Sequence, residues 1–402
     1  APREPPEAAP GAPEGSTGDA AGGRGKDTGD AADDRGREPG TGCGAQAEAG
    51  QLDCLEHLWE FVLQGQLEPT GNTSSAHKGL TCFPSNAMER MRAFGVACTC
   101  TRGHRLDSGV PNQDDLLLAM CTCADHGHVG LYGVFDGHGP AGHDCAAFVR
   151  SSLPESVFGD PELLSRPKDV MRRAFRQAQQ ALLQQPFDVR ASGTTATLAL
   201  VLDVGAGPAE GGEEPGACLV VAHVGDSRAI LASRGDDDGG SGSTCDGGDS
   251  FVVTELTRDH RPEDPEERER VRSQGGEVRK LKQGSSALRV YAPGSSHPAF
   301  ALTRSLGDAA AAACGVAAEP EVSAHPLWRG RDLLLVLGTD GLFEFCGGRE
   351  VVSQLLQGGV NAGVLEEVCA ASRERWARNS YNQTVDDATI IAVSLAGAPW
   401  LK

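Results

Sequence analysis

Val134-Phe135-Asp136-Gly137-His138-Gly139 sets a carboxylate, a glycine and an imidazole together at the end of an apolar run, residues 129–135, whose length suits a buried strand. A carboxylate at a strand end is held rigidly, and glycine lets backbone approach a ligand closely. Histidine is the side chain most easily tuned to exchange a proton near neutral pH. Asp-Gly is also a common turn dipeptide, so the motif gains meaning only from its company. Asp114, Asp340 and Asp386 stand at the boundaries of other strand-like runs, so a fold that brings strand ends together gathers four carboxylates. Two bare carboxylates about 4 Å apart repel by about 4 kcal/mol at an effective dielectric near 20, and a cluster of four needs cations among it. Oxygen ligands alone suit hard ions, Mg2+ or Mn2+ rather than zinc. Paired ions of this kind clamp phosphate oxygens and acidify a bridging water enough to give hydroxide near neutral pH.

The elements that must position these groups are readable as runs. Asn112-Gln113-Asp114-Asp115 opens the apolar run 116–121, and Ser192-Gly193-Thr194-Thr195-Ala196 leads into 197–202. Val224-Gly225-Asp226-Ser227-Arg228 follows 218–222, and Thr303-Arg304-Ser305-Leu306-Gly307-Asp308 comes late. The run 333–337 ends in Gly338-Thr339-Asp340-Gly341-Leu342, and Val385-Asp386-Asp387-Ala388-Thr389 opens the last strand. Helical spacing marks 140–153, 160–185, 350–356 and 364–378. Residues 262–273 form a charged helix, with acids in its first turn and Arg270 and Arg272 late, matching the dipole. Strands grouped apart from long helices indicate an α+β fold. Residues 93–100 alternate as a strand carrying Cys98 and Cys100, and the next long strand carries Cys121 and Cys123. If those strands pair, four thiols gather on one face. A flat strand holds i and i+2 sulfurs too far apart for zinc, so core filling is the expected role.

Residues 1–50 are rich in Ala, Gly, Pro and acids, with almost no large apolar side chain, and are expected to form a disordered acidic tail. Within 51–91, Leu52, Leu55, Leu58, Trp59, Val62 and Leu63 fall on one face of an amphipathic helix over 52–67, followed by a linker at 70–75. Gly- and acid-rich inserts at 205–216 and 234–250 lie between strands and read as disordered hairpin tips. A formal charge of -20 argues against nucleic acid or an anionic membrane as a general partner. No run of eighteen apolar residues exists, so no helix is expected to span a bilayer. Thirteen cysteines without a disulfide framework point to a reducing compartment, cytoplasmic or nuclear, and a monomer is expected. The chain begins at Ala1, which is compatible with a removed leader or an upstream domain.

Taken in order, these segments resemble the metal-dependent (PPM, type 2C) protein serine/threonine phosphatases over roughly residues 92–395. The resemblance implies a phosphatase domain across 92–402, built as a central antiparallel β-sandwich of two sheets flanked by helices on both sides. It implies phosphoprotein substrates and two Mg2+ or Mn2+ ions with a weaker third. By resemblance Asp136 bridges two ions and the Gly137 carbonyl ligates one, while Asp340 and Asp386 hold the other. Asp114 orders metal-bound water, and His138 is the general acid that protonates the leaving Ser or Thr oxygen. The third ion maps to Asp226 and Asp340, with Glu344 near it. Two positions depart from the family pattern. Gln113 stands where many members have a metal-contacting Glu, although some branches share the Asn-Gln-Asp form, and its carbonyl can still coordinate. Gly109 stands where animal members have a phosphate-gripping arginine, leaving Arg102, Arg105 or the Arg279/Lys280 pair as replacements. Two functional classes therefore remain: an active phosphatase, and a pseudophosphatase that keeps the fold as a binding module. The surface at 281–298, beside the metals, carries no recognisable specificity motif.

Overall fold

The structure is a computed structural model that describes residues 61–66, 79–83, 91–105, 109–123, 127–203, 215–235, 250–282, 286–296, 299–381 and 383–396. The expected tail at 1–50, the linker at 70–75 and most of both inserts lie outside the described residues. Among the described residues, fourteen strands of four residues or more carry the architecture: β1 Phe61–Gln66, β2 Gly79–Phe83, β3 Val96–Thr101, β4 Asp114–Cys123, β5 Gly127–His138, β6 Ala196–Asp203, β7 Ala217–Val224, β8 Arg228–Arg234, β9 Phe251–Glu255, β10 Glu277–Lys280, β11 Leu288–Tyr291, β12 Glu321–Leu327, β13 Asp332–Gly338 and β14 Ala388–Ser394. Five helices of nine residues or more accompany them among the described residues: α1 Gly142–Phe158, α2 Pro167–Leu182, α3 Pro265–Ser273, α4 Gly348–Gly358 and α5 Ala362–Asn379. Proline at the first position suits α2, whose first N–H has no helical partner. The start of α3 falls at Pro265 rather than Pro262, because the Asp264 carboxylate caps it by accepting from the Glu266 and Glu267 N–H groups.

One antiparallel sheet runs β12-β7-β6-β5-β4-β1-β2, and a second runs β9-β8-β13-β14-β3. Leu116, Leu118, Tyr132, Val134, Val201 and Val221 of the first sheet meet Val96, Leu231, Leu335, Leu337 and Ile391 of the second in a shared core. The alternate side chains of the first sheet, Leu117, Phe135, Leu198 and Val220 among them, pack on α1 and α2 through Val149, Leu153, Met171 and Phe175. Those of the second sheet, including Ile230, Val336 and Ile390, pack on α4 and α5 through Val352, Leu355, Leu365 and Val368. Each central strand is thus buried on both faces, which is why these runs read as continuous apolar stretches without alternation. The result is the expected α+β sandwich with helices outside both sheets.

Two expectations are corrected. Phe61–Gln66, inside the expected helix 52–67, is a strand that pairs antiparallel with both β2 and β4. Phe-Val-Leu suits a strand as well as a helix, and the open edge of β4 offers backbone partners that a short helix lacks. Residues 52–60 and 67 lie outside the described residues. The two cysteine pairs do not sit on paired strands, since β3 pairs with β14 in one sheet while β4 belongs to the other. Cys98 and Cys100 are buried in the shared core, as expected of fillers.

Candidate active site

Antiparallel pairing brings the chemistry-bearing strand boundaries to one end of the sandwich. Asp114, at the start of β4, lies directly opposite Asp136, near the end of β5. The turn between β7 and β8 carries Asp226, the exit of β13 carries Asp340, and the entry to β14 carries Asp386. Carboxylate oxygens of Asp136, Asp226 and Asp340 all lie within 4.8 Å of one another. They border a cavity of about 390 Å³ lined by Gln113, Asp136, Gly137, His138, Asp226, Asp340 and Asp386, and walled by the apolar stretch Ala299, Phe300, Ala301 and Leu302.

Local structure fixes each group. The Asp136 N–H donates to Thr195 Oγ1 at 3.0 Å, and the Asp136 carbonyl accepts from the Thr195 N–H at 2.9 Å. At Gly137 a Cβ would lie 2.3 Å from the Gly142 carbonyl oxygen and 2.6 Å from that of Gln113, so only glycine fits beside the cavity. Gln113 donates Nε2 to the Gly139 carbonyl at 2.7 Å, and its N–H donates to Asp387 Oδ2 at 2.8 Å. Its amide therefore braces the loop after β5. Asp114 does not reach the cavity wall. It is buried behind Asp136, where Thr339 Oγ1 and Thr389 Oγ1 each donate to its Oδ2 at 2.8 Å. Glu344 also lies off the cavity wall, accepting from Arg261 Nη1 at 2.9 Å.

Burial and crowding load the site with unfavourable negative charge. The Asp114 carboxyl is pushed up to about 8, first by burial and then by the charges of Asp387 and Asp386. Burial, reinforced by Asp340 and Asp114, lifts Asp136 well above the ordinary carboxylate range. Asp340 is lifted likewise by burial, then by Asp226 and Asp386. Its Oδ1 is buried without a hydrogen-bond partner. A wholly oxygen donor set, a cluster that resists ionisation without counter-charge and an unpartnered carboxylate oxygen together fit hard divalent cations.

The sequence places Asp308 in a motif but assigns it no partner. Its carboxylate Oδ2 sits 2.6 Å from His138 Nε2 and also accepts from Ser305 Oγ at 2.6 Å. Asp308 adopts a left-handed conformation with φ 44°, which aspartate tolerates better than most residues. Burial works against a charge on His138, but the carboxylate of Asp308, with Asp226 behind it, outweighs burial and raises the ring above the ordinary histidine value. The only signal for this pair lay in two motifs 170 residues apart.

Among the described residues, no arginine or lysine lines the cavity. Gly109 is exposed to open space, Arg102 donates to the Val110 carbonyl, and Arg279 stacks 4.1 Å from the Tyr291 ring centroid. The Arg105 side chain lies outside the described residues. A second cluster, His223, His260 and Glu321, also satisfies metal-ligand distances. Its imidazoles stack 4.4 Å apart and nearly parallel, so their lone pairs run in separate planes and do not converge on one ion. His260 Nδ1 accepts from the Gly225 N–H at 3.1 Å, so the stack props the turn that presents Asp226.

Residues 99–384 match the family model described as Protein phosphatase 2C. Among curated proteins, "Probable protein phosphatase 2C 61" of Arabidopsis thaliana is 31% identical over 71% of this chain and 80% of its own length. "Probable protein phosphatase 2C 72" of the same plant is 32% identical over 66% of this chain and 76% of its own length. The crystal structure of serine-threonine phosphatase 2C from Toxoplasma gondii shares the fold at a TM-score of 0.56 and 19% identity, covering 74% of this chain and 94% of that one. With its carboxylate-rich strand ends and these relatives together, the chain belongs to the protein phosphatase 2C family, the metal-dependent serine/threonine phosphatases.

Proposed function

We propose that this chain hydrolyses phosphoserine and phosphothreonine in proteins at a dinuclear Mg2+ or Mn2+ centre, with His138 as general acid. The observation that carries this reading is the convergence of the Asp136, Asp226 and Asp340 oxygens within 4.8 Å, in a cavity whose wall also holds the His138–Asp308 pair. Asp136, the Gly137 carbonyl, Asp340 and Asp386 would hold the two ions. Once bound, such ions supply positive charge for phosphate oxygens and a water acidic enough to attack phosphorus near neutral pH. Asp114, clamped by Thr339 and Thr389, backs the cluster from behind. His138 would pass a proton to the departing Ser or Thr oxygen, and the Asp308 carboxylate at 2.6 Å favours the charged ring for that step. With no lysine or arginine among the described residues of the cavity wall, phosphate binding would rest chiefly on the bound cations.

Hydrolysis of a phosphopeptide and of p-nitrophenyl phosphate, with Mn2+, after EDTA and after re-addition, tests the reading. Activity should vanish on chelation and return. Asp340→Asn should fold and lose turnover by at least about a hundredfold, as when preorganised charge stabilisation is removed. His138→Ala should keep its metal and be less impaired on p-nitrophenyl phosphate, whose leaving group needs little protonation. Turnover that survives exhaustive chelation, or near-normal turnover in Asp340→Asn, would overturn the assignment.

A further inference from the structure

Arg261 stands among the acids of the centre. Its Nε donates to Asp226 Oδ2 at 2.6 Å, its Nη1 to Glu344 Oε2 at 2.9 Å, and its Nη2 approaches Asp340 Oδ2 at 3.3 Å. Asp259 Oδ2 lies 3.9 Å from Nε. Every nitrogen of the guanidinium thus faces a different carboxylate, and the side chain is only 27% exposed. The two oxygens of Asp340 are divided by this contact. Oδ2 faces Arg261, while Oδ1 is buried without a hydrogen-bond partner and is left to the metal centre.

An arginine stays protonated at any accessible pH, and its planar fork satisfies several carboxylates without the octahedral ligand set that Mg2+ demands. Asp226, Asp340 and Glu344 would otherwise form an acidic recess open to a cation. We infer that Arg261 is a built-in counter-ion that closes this recess, so that a divalent ion beyond the two of the proposed centre binds only by displacing the guanidinium. The inference rests on the dinuclear reading above. It also assigns Arg261 a positioning role, since the same fork orients the Asp340 carboxylate toward the centre. Tethered by the chain, the guanidinium is present at a high effective concentration that no salt change removes. A divalent ion competing for the recess must therefore be supplied in excess.

Counting bound Mn2+ per chain by equilibrium dialysis, across free concentrations from micromolar to millimolar, tests this without reference to turnover. The wild type should level off at two ions. Arg261→Gln, which removes the charge while keeping a polar side chain, should take up a third with an affinity at least about tenfold above any third event in the wild type. Arg261→Lys keeps a point charge but loses the fork, and should fall between them. The melting temperature of metal-free Arg261→Gln should drop below that of the wild type and recover with Mn2+, since unneutralised carboxylates repel until an ion arrives. Equal third-ion affinity in all three proteins would sink this inference and leave the dinuclear centre standing. Failure of the wild type to hold two ions would sink both.

Discussion

Glu267 offers the sharpest test of how the scaffold holds the site. It lies on α3, is only 2% exposed, and accepts five hydrogen bonds. Arg270 supplies two, at 3.0 and 2.7 Å; Arg304 supplies two, at 3.1 and 2.6 Å; and Thr303 Oγ1 supplies one, at 2.8 Å. Glu267→Ala would leave two guanidinium groups facing each other around a void. Removing one partner of a buried ion pair costs about 3–5 kcal/mol. Arg270 and Arg304 remain 22% and 13% exposed, so water can recover part of their hydration and the lower end applies. Against a total stability of about 5–15 kcal/mol that is a large fraction. With an unfolding entropy of about 2.1 cal/mol/K per residue over a domain of about 300 residues, a loss of about 3 kcal/mol should lower the melting temperature by roughly 5 °C.

The pH dependence carries a sign. Burial opposes the charge on Glu267, but its hydrogen bonds from Arg270, Arg304 and Thr303 prevail and hold the carboxyl well below its ordinary value. A depressed carboxyl contributes stability that is fully present above its unfolded value, about 4.3, and is lost as pH falls toward the folded one. Urea denaturation of wild type and Glu267→Ala should therefore show a constant gap from pH 6 to 8 that narrows below about pH 4. Replacing the triad together, Glu267→Leu with Arg270→Met and Arg304→Met, should cost less than the single change, because no charge is left stranded. A loss under about 1 kcal/mol in Glu267→Ala, or a triple variant worse than the single one, would refute the reasoning.

Two further changes probe the chemistry and the packing beneath it. Asp308→Asn removes the charge beside His138, so the ring should lose its proton at lower pH and the alkaline limb of the kcat/KM profile should move the same way. The sign follows from the raised ring: its protonated form, and the stability it contributes below the unfolded value, should now be lost earlier as pH rises. An unmoved alkaline limb on a phosphopeptide substrate would separate Asp308 from the proton donor. At Gly341 a Cβ would stand 1.7 Å from the Asp387 carbonyl oxygen, so Gly341→Ala should destabilise by at least about 1–3 kcal/mol in urea denaturation and weaken Mn2+ binding through the displaced entry to β14. Unchanged stability there would mean that the Asp387 backbone yields freely.

What was legible in the sequence tracks how local its cause is. The runs that became β4, β5, β6, β7, β13 and β14 were readable because burial on both faces makes them continuously apolar, and the aspartates were readable because they interrupt those runs at their boundaries. The strand Phe61–Gln66 was not, because six residues of mixed propensity fit either periodicity until the edge of β4 decides between them. Asp114 was recognised as part of the cluster, yet its place behind the cavity depends on Thr339 and Thr389, more than two hundred residues away, donating to one of its oxygens.

Asp308 and Arg261 show the same limit in the functional residues. Asp308 closes a motif and Arg261 precedes the helix expected at 262–273, and nothing in the neighbours of either declares a charge partner. His138 meets Asp308, and Asp226, Asp340 and Glu344 meet Arg261, only after the sandwich has closed. A run of aspartates can announce that cations are needed, because like charges close together are costly wherever they gather. It cannot announce which cation answers each of them. That choice is made by side chains from other elements, and a guanidinium delivered by the chain competes with an ion delivered by solvent for the same oxygens.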